Sequence, residues 1–107
     1  MPLLAEITVE ELKKRLDARE DLQILDVREP SEFSTANLGG ILIPLGELTN
    51  RYQEIAEDRE TVVLCHHGMR SAQAVLYLQK MGFEKVSNLR GGIDRWSLKR
   101  DPTIPRY

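Results

Sequence analysis

Apolar residues along this chain form short aliphatic runs that alternate with stretches of helical periodicity. Four runs predict strands, at residues 22–27, 41–43, 61–64 and 85–89. The first and third of these are aliphatic almost throughout, which is typical of strands covered on both faces. Strands that alternate with helices over short connections indicate an α/β domain. We therefore expect a mainly parallel central sheet flanked by helices on both faces.

Helical patterns fill the stretches between these runs. Thr8 and Glu11 form a capping box that opens the first helix. Pro30 favours the first position of a short helical turn after the first strand. Gly82 stands where a glycine commonly follows the end of a helix. The remaining helical patterns cover residues 47–56, 71–81 and 93–98.

Composition limits the class of protein. With 107 residues, 41% hydrophobic and 30% charged, residues 1–107 are expected to form a single globular domain. A net charge of -2 argues against nucleic-acid or anionic-membrane binding. The sequence has no apolar run of the roughly 20 residues that span a bilayer. Residues 1–6 also lack the features of a signal peptide. The expectation is a soluble, cytoplasmic protein.

The single cysteine, Cys65, is the first candidate for chemistry. It excludes an internal disulfide, and alone it cannot form a structural zinc site. Cys65 follows the strand at 61–64 and precedes a helix, and open α/β sheets bind ligands at such strand ends. The helix N-terminus favours a thiolate, and Gly68 lets the loop direct successive N–H groups to one centre. The pattern favours a cysteine nucleophile that forms a covalent intermediate.

The residues that follow Cys65 extend this candidate site. His66, His67 and Arg70 add positive or potentially positive charge around the loop. Ser71 is either the N-cap of the next helix or a hydroxyl that faces the sulfur. We expect the Met69 side chain to point outwards, where it contacts an acceptor.

Two other interpretations of Cys65 stay open from these residues alone. In the first, Cys65 is a small buried apolar residue beside solvated histidines, because free cysteines are often buried and inert. Alternatively, Cys65, His66 and His67 belong to a zinc site, which then needs at least one further ligand.

Residues 65–71 read Cys-His-His-Gly-Met-Arg-Ser, and this segment resembles the active-site loop of the rhodanese-like sulfurtransferases, Cys-x-x-Gly-x-Arg-Ser. Residues 25–33, 43–48 and 82–96 resemble further signatures, in the family's order. One departure is Asn37, where the family often carries a histidine. The resemblance covers nearly the whole chain and implies the small rhodanese-like fold.

The resemblance also implies a mechanism. The Cys65 thiolate takes the outer sulfur of a donor such as thiosulfate, and the resulting persulfide passes it to cyanide, a thiol or a protein acceptor. The amides of His66, His67, Gly68, Met69, Arg70 and Ser71 hold the persulfide, and Arg70 also binds the donor's sulfonate. Neither a metal nor an organic cofactor is implied.

Asp26 and Arg28 are candidates for supporting the site. Both lie at the carboxyl end of a predicted strand, on the side where the site is expected. The family resemblance favours a pair that braces the catalytic loop. The alternative is a pair of solvated charges, which are common at strand ends.

Three other functions are alternatives to a thiosulfate sulfurtransferase. A sulfur carrier is loaded by a partner's persulfide, and a protein-interaction module uses the same fold without catalysis. Tyrosine phosphatases place five residues between their cysteine and arginine, whereas only four separate Cys65 from Arg70. The shorter loop encloses a smaller volume and disfavours phosphate as the substrate.

Overall fold

A computed structural model describes residues 4–107, so the signal-peptide expectation for residues 1–6 falls partly on residues 1–3, outside the described residues. Its strands form one parallel sheet in the order β1-β5-β4-β2-β3. The strands are β1 (Glu6–Ile7), β2 (Leu22–Asp26), β3 (Ile41–Leu42), β4 (Glu60–Leu64) and β5 (Val86–Leu89). Because β4 is the central strand, the loop that follows it has a neighbouring strand on either side.

Five α-helices connect and cover these strands. They are α1 (Val9–Asp17), α2 (Pro30–Thr35), α3 (Leu48–Arg51), α4 (Met69–Lys80) and α5 (Gly92–Lys99). The predicted capping box is confirmed: Glu11 N donates to Thr8 Oγ1 at 3.1 Å, and Thr8 N donates to the Glu11 carboxylate at 3.3 Å. Gly82 follows α4 with a φ of +101°, which is the left-handed geometry that favours glycine there.

Two parts of the chain differ from the sequence prediction. The single helix predicted over residues 47–56 is wrong, because α3 is flanked by the 3₁₀ turns Leu45–Glu47 and Tyr52–Glu54. Asn50 and Tyr52 are weak helix formers, and the burial of Leu48 and Ile55 sets the path of this segment instead. Strand β1 was not predicted, since two residues are too few to show a strand period.

Side chains on the two faces of the sheet enter separate cores. Val63 and Cys65 lie in the core that includes Leu78 of α4, whereas Val62 and Leu64 lie in the core that includes Leu12 of α1. This alternation follows from the two-residue period of a strand. The predicted α/β fold with helices on both faces is therefore confirmed, and the Cys65 side chain lies on the α4 side.

The C-terminal residues return across the edge of the sheet where β2 and β4 end. Arg106 donates to both oxygens of Asp94, at 2.8 and 3.2 Å. The Tyr107 hydroxyl lies between Arg28 and Glu32. This brings the end of the chain beside the loop after β4. Within residues 4–107, the structure has no helix of the length and apolarity that a membrane crossing requires.

Candidate active site

The Cys65 sulfur is buried and surrounded by hydrogen-bond donors. The residue is 1% exposed, and its Sγ accepts from Gly68 N at 3.0 Å, Ser71 N at 3.4 Å and Ser71 Oγ at 3.3 Å. Gly68 is the N-cap of α4 but has no side chain to bind the first free amides of the helix. The sulfur takes that place, next to the positive end of the helix dipole. This arrangement stabilises negative charge on the sulfur.

The first turn of α5 sets the orientation of the loop. Ile93 N donates to the Cys65 carbonyl at 2.9 Å, and Asp94 N donates to the His66 carbonyl at 3.1 Å. Gly92 allows this contact, because a Cβ there would lie 2.4 Å from each of these carbonyl oxygens. With the two carbonyls turned towards α5, the N–H groups of the following residues are free to face the sulfur.

Asn88, on β5, ties the loop to the sheet. Its Nδ2 donates to Glu6 Oε2 at 3.1 Å and to the Gly68 carbonyl at 3.3 Å, and its Oδ1 accepts from Ser71 Oγ. The residue is 2% exposed, so these bonds are shielded from water. Asn88 therefore holds both Gly68 and Ser71, the two residues whose amides bind the sulfur.

Arg70, expected to bind a donor's sulfonate, is already paired. Its Nη1 donates to Glu32 Oε1 at 2.7 Å, and its Nη2 donates to Glu32 Oε2 at 2.9 Å. The Arg70 guanidinium lowers the pKa of Glu32 to about 2, and Glu32 in turn raises the pKa of Arg70. Both groups are therefore charged at neutral pH, and the positive charge of Arg70 is offset by a carboxylate from α2.

Tyr107 links two charged pairs and covers part of the loop. Its hydroxyl accepts from Arg28 Nη1 at 2.7 Å and donates to Glu32 Oε2 at 2.9 Å. Its ring stacks on His66 with a centroid distance of 4.2 Å, and His66 stacks on His67 at 3.9 Å. Burial, followed by the nearby His67, lowers the pKa of His66 and so favours the neutral imidazole at neutral pH.

Asp26 and Arg28 form a fully buried ion pair. Arg28 Nε donates to Asp26 Oδ1 at 2.9 Å and Nη2 to Oδ2 at 2.7 Å, while Nη2 also binds the Ala36 carbonyl. Both side chains are 0% exposed, so the alternative of solvated charges is wrong. Their connection to the loop after β4 runs through Tyr107 and Glu32 to Arg70.

The fold and the loop after β4 are shared with known proteins. A family model described as "Rhodanese-like domain" matches residues 8–99. The chain belongs to the rhodanese-like domain family.

Relatives of this rhodanese-like domain include sulfur-transfer proteins. It is 38% identical over 103 residues to "Sulfurtransferase" of Allochromatium vinosum, which covers 95% of this chain and 96% of that protein. It is 40% identical over 99 residues to "Putative sulfur carrier protein YrkF" of Bacillus subtilis, covering 92% of this chain. The match spans 54% of the length of YrkF. The family thus includes sulfurtransferases and sulfur carriers.

The fold of the rhodanese-like domain is also shared with a solved structure. A rhodanese-related protein from Thermoplasma volcanium superimposes with a TM-score of 0.84 at 31% identity, covering 96% of this chain and 99% of that one. This agreement supports the predicted family and fold class.

The structure places the predicted loop residues in different surroundings. Within the fully described loop, only the amides of Gly68 and Ser71 hydrogen-bond to the sulfur. The N-cap alternative for Ser71 is wrong, because Gly68 occupies that position; its hydroxyl faces the sulfur instead. Met69 is 79% exposed and points outwards as expected, while the His67 side chain is 64% exposed.

The zinc alternative has a specific geometric test in this rhodanese-like domain. Among the described residues, His66, His67 and Asp94 bring one potential ligand atom each within 4.8 Å of one another, and Cys65, the first ligand expected from the sequence, is not part of this cluster. However, both oxygens of Asp94 accept hydrogen bonds from Arg106. The carboxylate is therefore engaged by a cation of the chain itself, and the cluster is organised as an ion pair.

Three contributors to the site were missed by sequence reasoning: Glu32, Asn88 and Tyr107. Glu32 and Asn88 lie inside segments that resemble the family signatures. However, Glu32 contacts a loop residue 38 positions away, and Asn88 contacts loop residues 17 and 20 positions away. Local periodicity carries no information about such pairs. Tyr107 reaches the site because the C-terminal residues fold back, a path that the sequence pattern does not indicate.

Proposed function

We propose that this rhodanese-like domain is a sulfurtransferase that moves a sulfane sulfur from thiosulfate or a related donor to a thiophilic acceptor. Cys65 carries the sulfur as a persulfide. The observation behind this proposal is the set of three donors directed at Cys65 Sγ from Gly68 and Ser71, at the N-terminus of α4. Such surroundings stabilise the thiolate, which is the nucleophilic form of cysteine.

The reaction has two steps. The Cys65 thiolate attacks the outer sulfur of thiosulfate, a new S–S bond forms, and the donor's S–S bond breaks so that sulfite leaves with the electron pair. The acceptor, cyanide or a thiol, then takes the terminal sulfur and the thiolate returns. No metal or organic cofactor is needed for either step. A reducing compartment such as the cytoplasm keeps a single cysteine available as the thiol.

The remaining loop residues have proposed roles in binding. Gly68 and Ser71 hold the sulfur, and Arg70 orients the donor from the side of α2. His66 and His67 form one wall of the loop by stacking. Met69 provides an exposed apolar side chain where a protein acceptor docks.

A sulfur carrier is the second candidate, and the pairing of Arg70 with Glu32 favours it. A carrier receives its sulfur from a partner's persulfide and needs no free cation for a sulfonate. It uses the same Cys65 chemistry but is loaded slowly by thiosulfate. The resemblance to a relative named a putative sulfur carrier is in line with this alternative.

The test is the intact mass of the reduced protein after incubation with thiosulfate or with an alkyl hydropersulfide. We expect a gain of one sulfur atom that cyanide removes and that the Cys65→Ser variant lacks. Loading by the hydropersulfide alone would favour the carrier. No gain from either donor, with Cys65 still open to alkylation, would contradict sulfur transfer and favour an interaction module. Hydrolysis of an aryl phosphate would instead indicate a phosphatase.

A further inference from the structure

The cations around the sulfur loop are matched by carboxylates of the chain itself. Arg70, the arginine of the loop, pairs with Glu32. Other arginines at this edge of the sheet are paired too: Arg28 with Asp26, Arg106 with Asp94 and Arg90 with Glu6. Arg95, which is exposed and lies against Gly91, has no carboxylate partner among the described residues. The loop therefore offers little net positive charge.

Glu32 is held firmly in this position. Besides the two bonds from Arg70, its carboxylate accepts from Glu29 N at 3.1 Å and from the Tyr107 hydroxyl at 2.9 Å. Its side chain is 20% exposed, so the pair with Arg70 is partly shielded from water. A sulfonate that bound Arg70 would have to displace this carboxylate or lie close to it.

Possible donors differ sharply in the charge that they bring. Thiosulfate is a dianion, so its reaction with a thiolate gathers three negative charges at one site. An uncharged hydropersulfide, RS–SH, brings none beyond the thiolate. Like charges repel strongly in a partly desolvated site. A site whose arginine is already neutralised penalises the first donor far more than the second.

We propose that Glu32 is a specificity-determining residue that disfavours dianionic donors and directs the Cys65 site towards persulfides. The inference rests on the sulfur transfer proposed above. In the favoured step the Cys65 thiolate attacks the outer sulfur of RS–SH. The new Cys65 S–S bond forms, the donor's S–S bond breaks, and RS⁻ leaves with the electron pair. The products are Cys65–S–SH and a thiolate, so atoms and charge balance.

The experiment compares rate constants for Cys65 persulfidation by thiosulfate and by benzyl hydropersulfide, whose sulfur-donating form, RS–SH, is uncharged. The Glu32→Gln variant removes the charge and keeps the side-chain size. We expect its rate constant with thiosulfate to rise at least about tenfold, and its rate constant with the hydropersulfide to change less than about twofold. Glu84→Gln is the control, because Glu84 is exposed and precedes β5 at the opposite edge of the sheet. It should alter neither rate.

Other results would overturn the proposal. Equal changes for both donors, or a loss of both, would assign Glu32 only a positioning role for Arg70. The ratio of the two rate constants could instead change in Arg95→Gln and stay constant in Glu32→Gln. That result would show that Arg95, and not Glu32, sets the preference between donors. Wild-type protein loaded by neither donor would contradict the sulfur transfer itself, a distinct outcome.

The wild-type protein gives a test that does not depend on the folding of a variant. An unpaired arginine would attract thiosulfate, and added salt would then lower the thiosulfate rate steeply. We expect the rate to stay nearly constant, or to rise, as salt is added. A steep fall that persists in the Arg95→Gln variant would show that Arg70 acts as a free cation and would overturn the role of Glu32.

Discussion

The hydroxyl of Ser71 lies 3.3 Å from Cys65 Sγ, and the same oxygen contacts Oδ1 of Asn88. A hydroxyl has one proton to donate. The Asn88 NH₂ group is bound to Glu6 and Gly68, so its oxygen must face Ser71. When the sulfur is negatively charged, it is the stronger acceptor and draws the proton towards itself. The single Ser71 proton thus has two acceptors within reach, and we expect it to favour the sulfur when Cys65 is ionised.

Ser71→Ala should make the cysteine less reactive. The variant removes one donor to the sulfur and leaves the amides of Gly68 and Ser71 in place. A hydrogen bond to a charged group contributes enough for a loss of about tenfold in the rate of alkylation by iodoacetamide at neutral pH. Ser87→Ala, one position before Asn88 on β5, is the matched control and should react like wild type. An unchanged rate in Ser71→Ala would show that the hydroxyl serves Asn88 alone.

Asn88→Asp should destabilise the fold through Glu6. The substitution replaces the NH₂ donor by an oxygen, so a buried carboxylate then faces both the Glu6 carboxylate and the Gly68 carbonyl. We expect a loss of about 2 kcal/mol in the free energy of unfolding, measured in urea at neutral pH. Adding Glu6→Gln supplies a donor and removes the repulsion, so the double variant should recover part of the loss. Glu6→Gln alone measures the cost of losing the pair with Arg90, and no recovery after that cost is subtracted would mean that Glu6 contributes nothing to holding Asn88.

The parts of this domain that the sequence predicts well are those with local causes. The capping box of Thr8 and Glu11 marks the start of α1, and continuous aliphatic runs mark β2 and β4. Cys65 is placed correctly at a strand end because parallel strands direct their carboxyl ends to one edge. Local chemistry therefore predicted the fold class and the position of the candidate nucleophile.

The parts that the sequence does not predict depend on distant contacts. Glu32 appears as an ordinary polar residue of α2 until the fold brings it to Arg70. Asn37 has a local role instead: its Nδ2 donates to the Phe33 carbonyl and its Oδ1 accepts from Gly39 N, both at 2.9 Å. These bonds close the turn after α2 at the position where the family often has a histidine.

Gly92→Ala should damage the loop as well as the backbone. Gly92 has a φ of +64°, and a Cβ there would lie 2.4 Å from the carbonyl oxygens of Cys65 and His66. We expect a loss of about 3 kcal/mol or more in the free energy of unfolding, together with slower Cys65 persulfidation. Gly39→Ala is the control for the backbone cost alone, because Gly39 has a φ of +78° and no atom within 4 Å of its Cβ position.

The control should lose about 1 kcal/mol, the usual cost of a side chain in the left-handed region, and keep its reactivity. Equal losses in the two variants would show that α5 can move away from the loop without cost. The proposed contact between Gly92 and the two carbonyls would then not set the orientation of the loop.

The pair of Glu32 with Arg70 should also make stability depend on pH in acid. The pKa of Glu32 is lowered from 4.5 to about 2, mainly by Arg70. A carboxyl whose folded-state pKa is depressed stabilises the fold fully above its unfolded pKa and loses that contribution as pH falls towards the folded value. Wild type should therefore exceed Glu32→Gln by about 1–2 kcal/mol at neutral pH, a value reduced by the partial exposure of Arg70. That difference should shrink between pH 4.5 and about 2.

Urea unfolding between neutral pH and pH 2 measures this difference in stability, with Glu84→Gln as the control for a surface carboxylate. A difference that stays constant down to the lowest pH would mean that the charge of Glu32 does not stabilise the folded state.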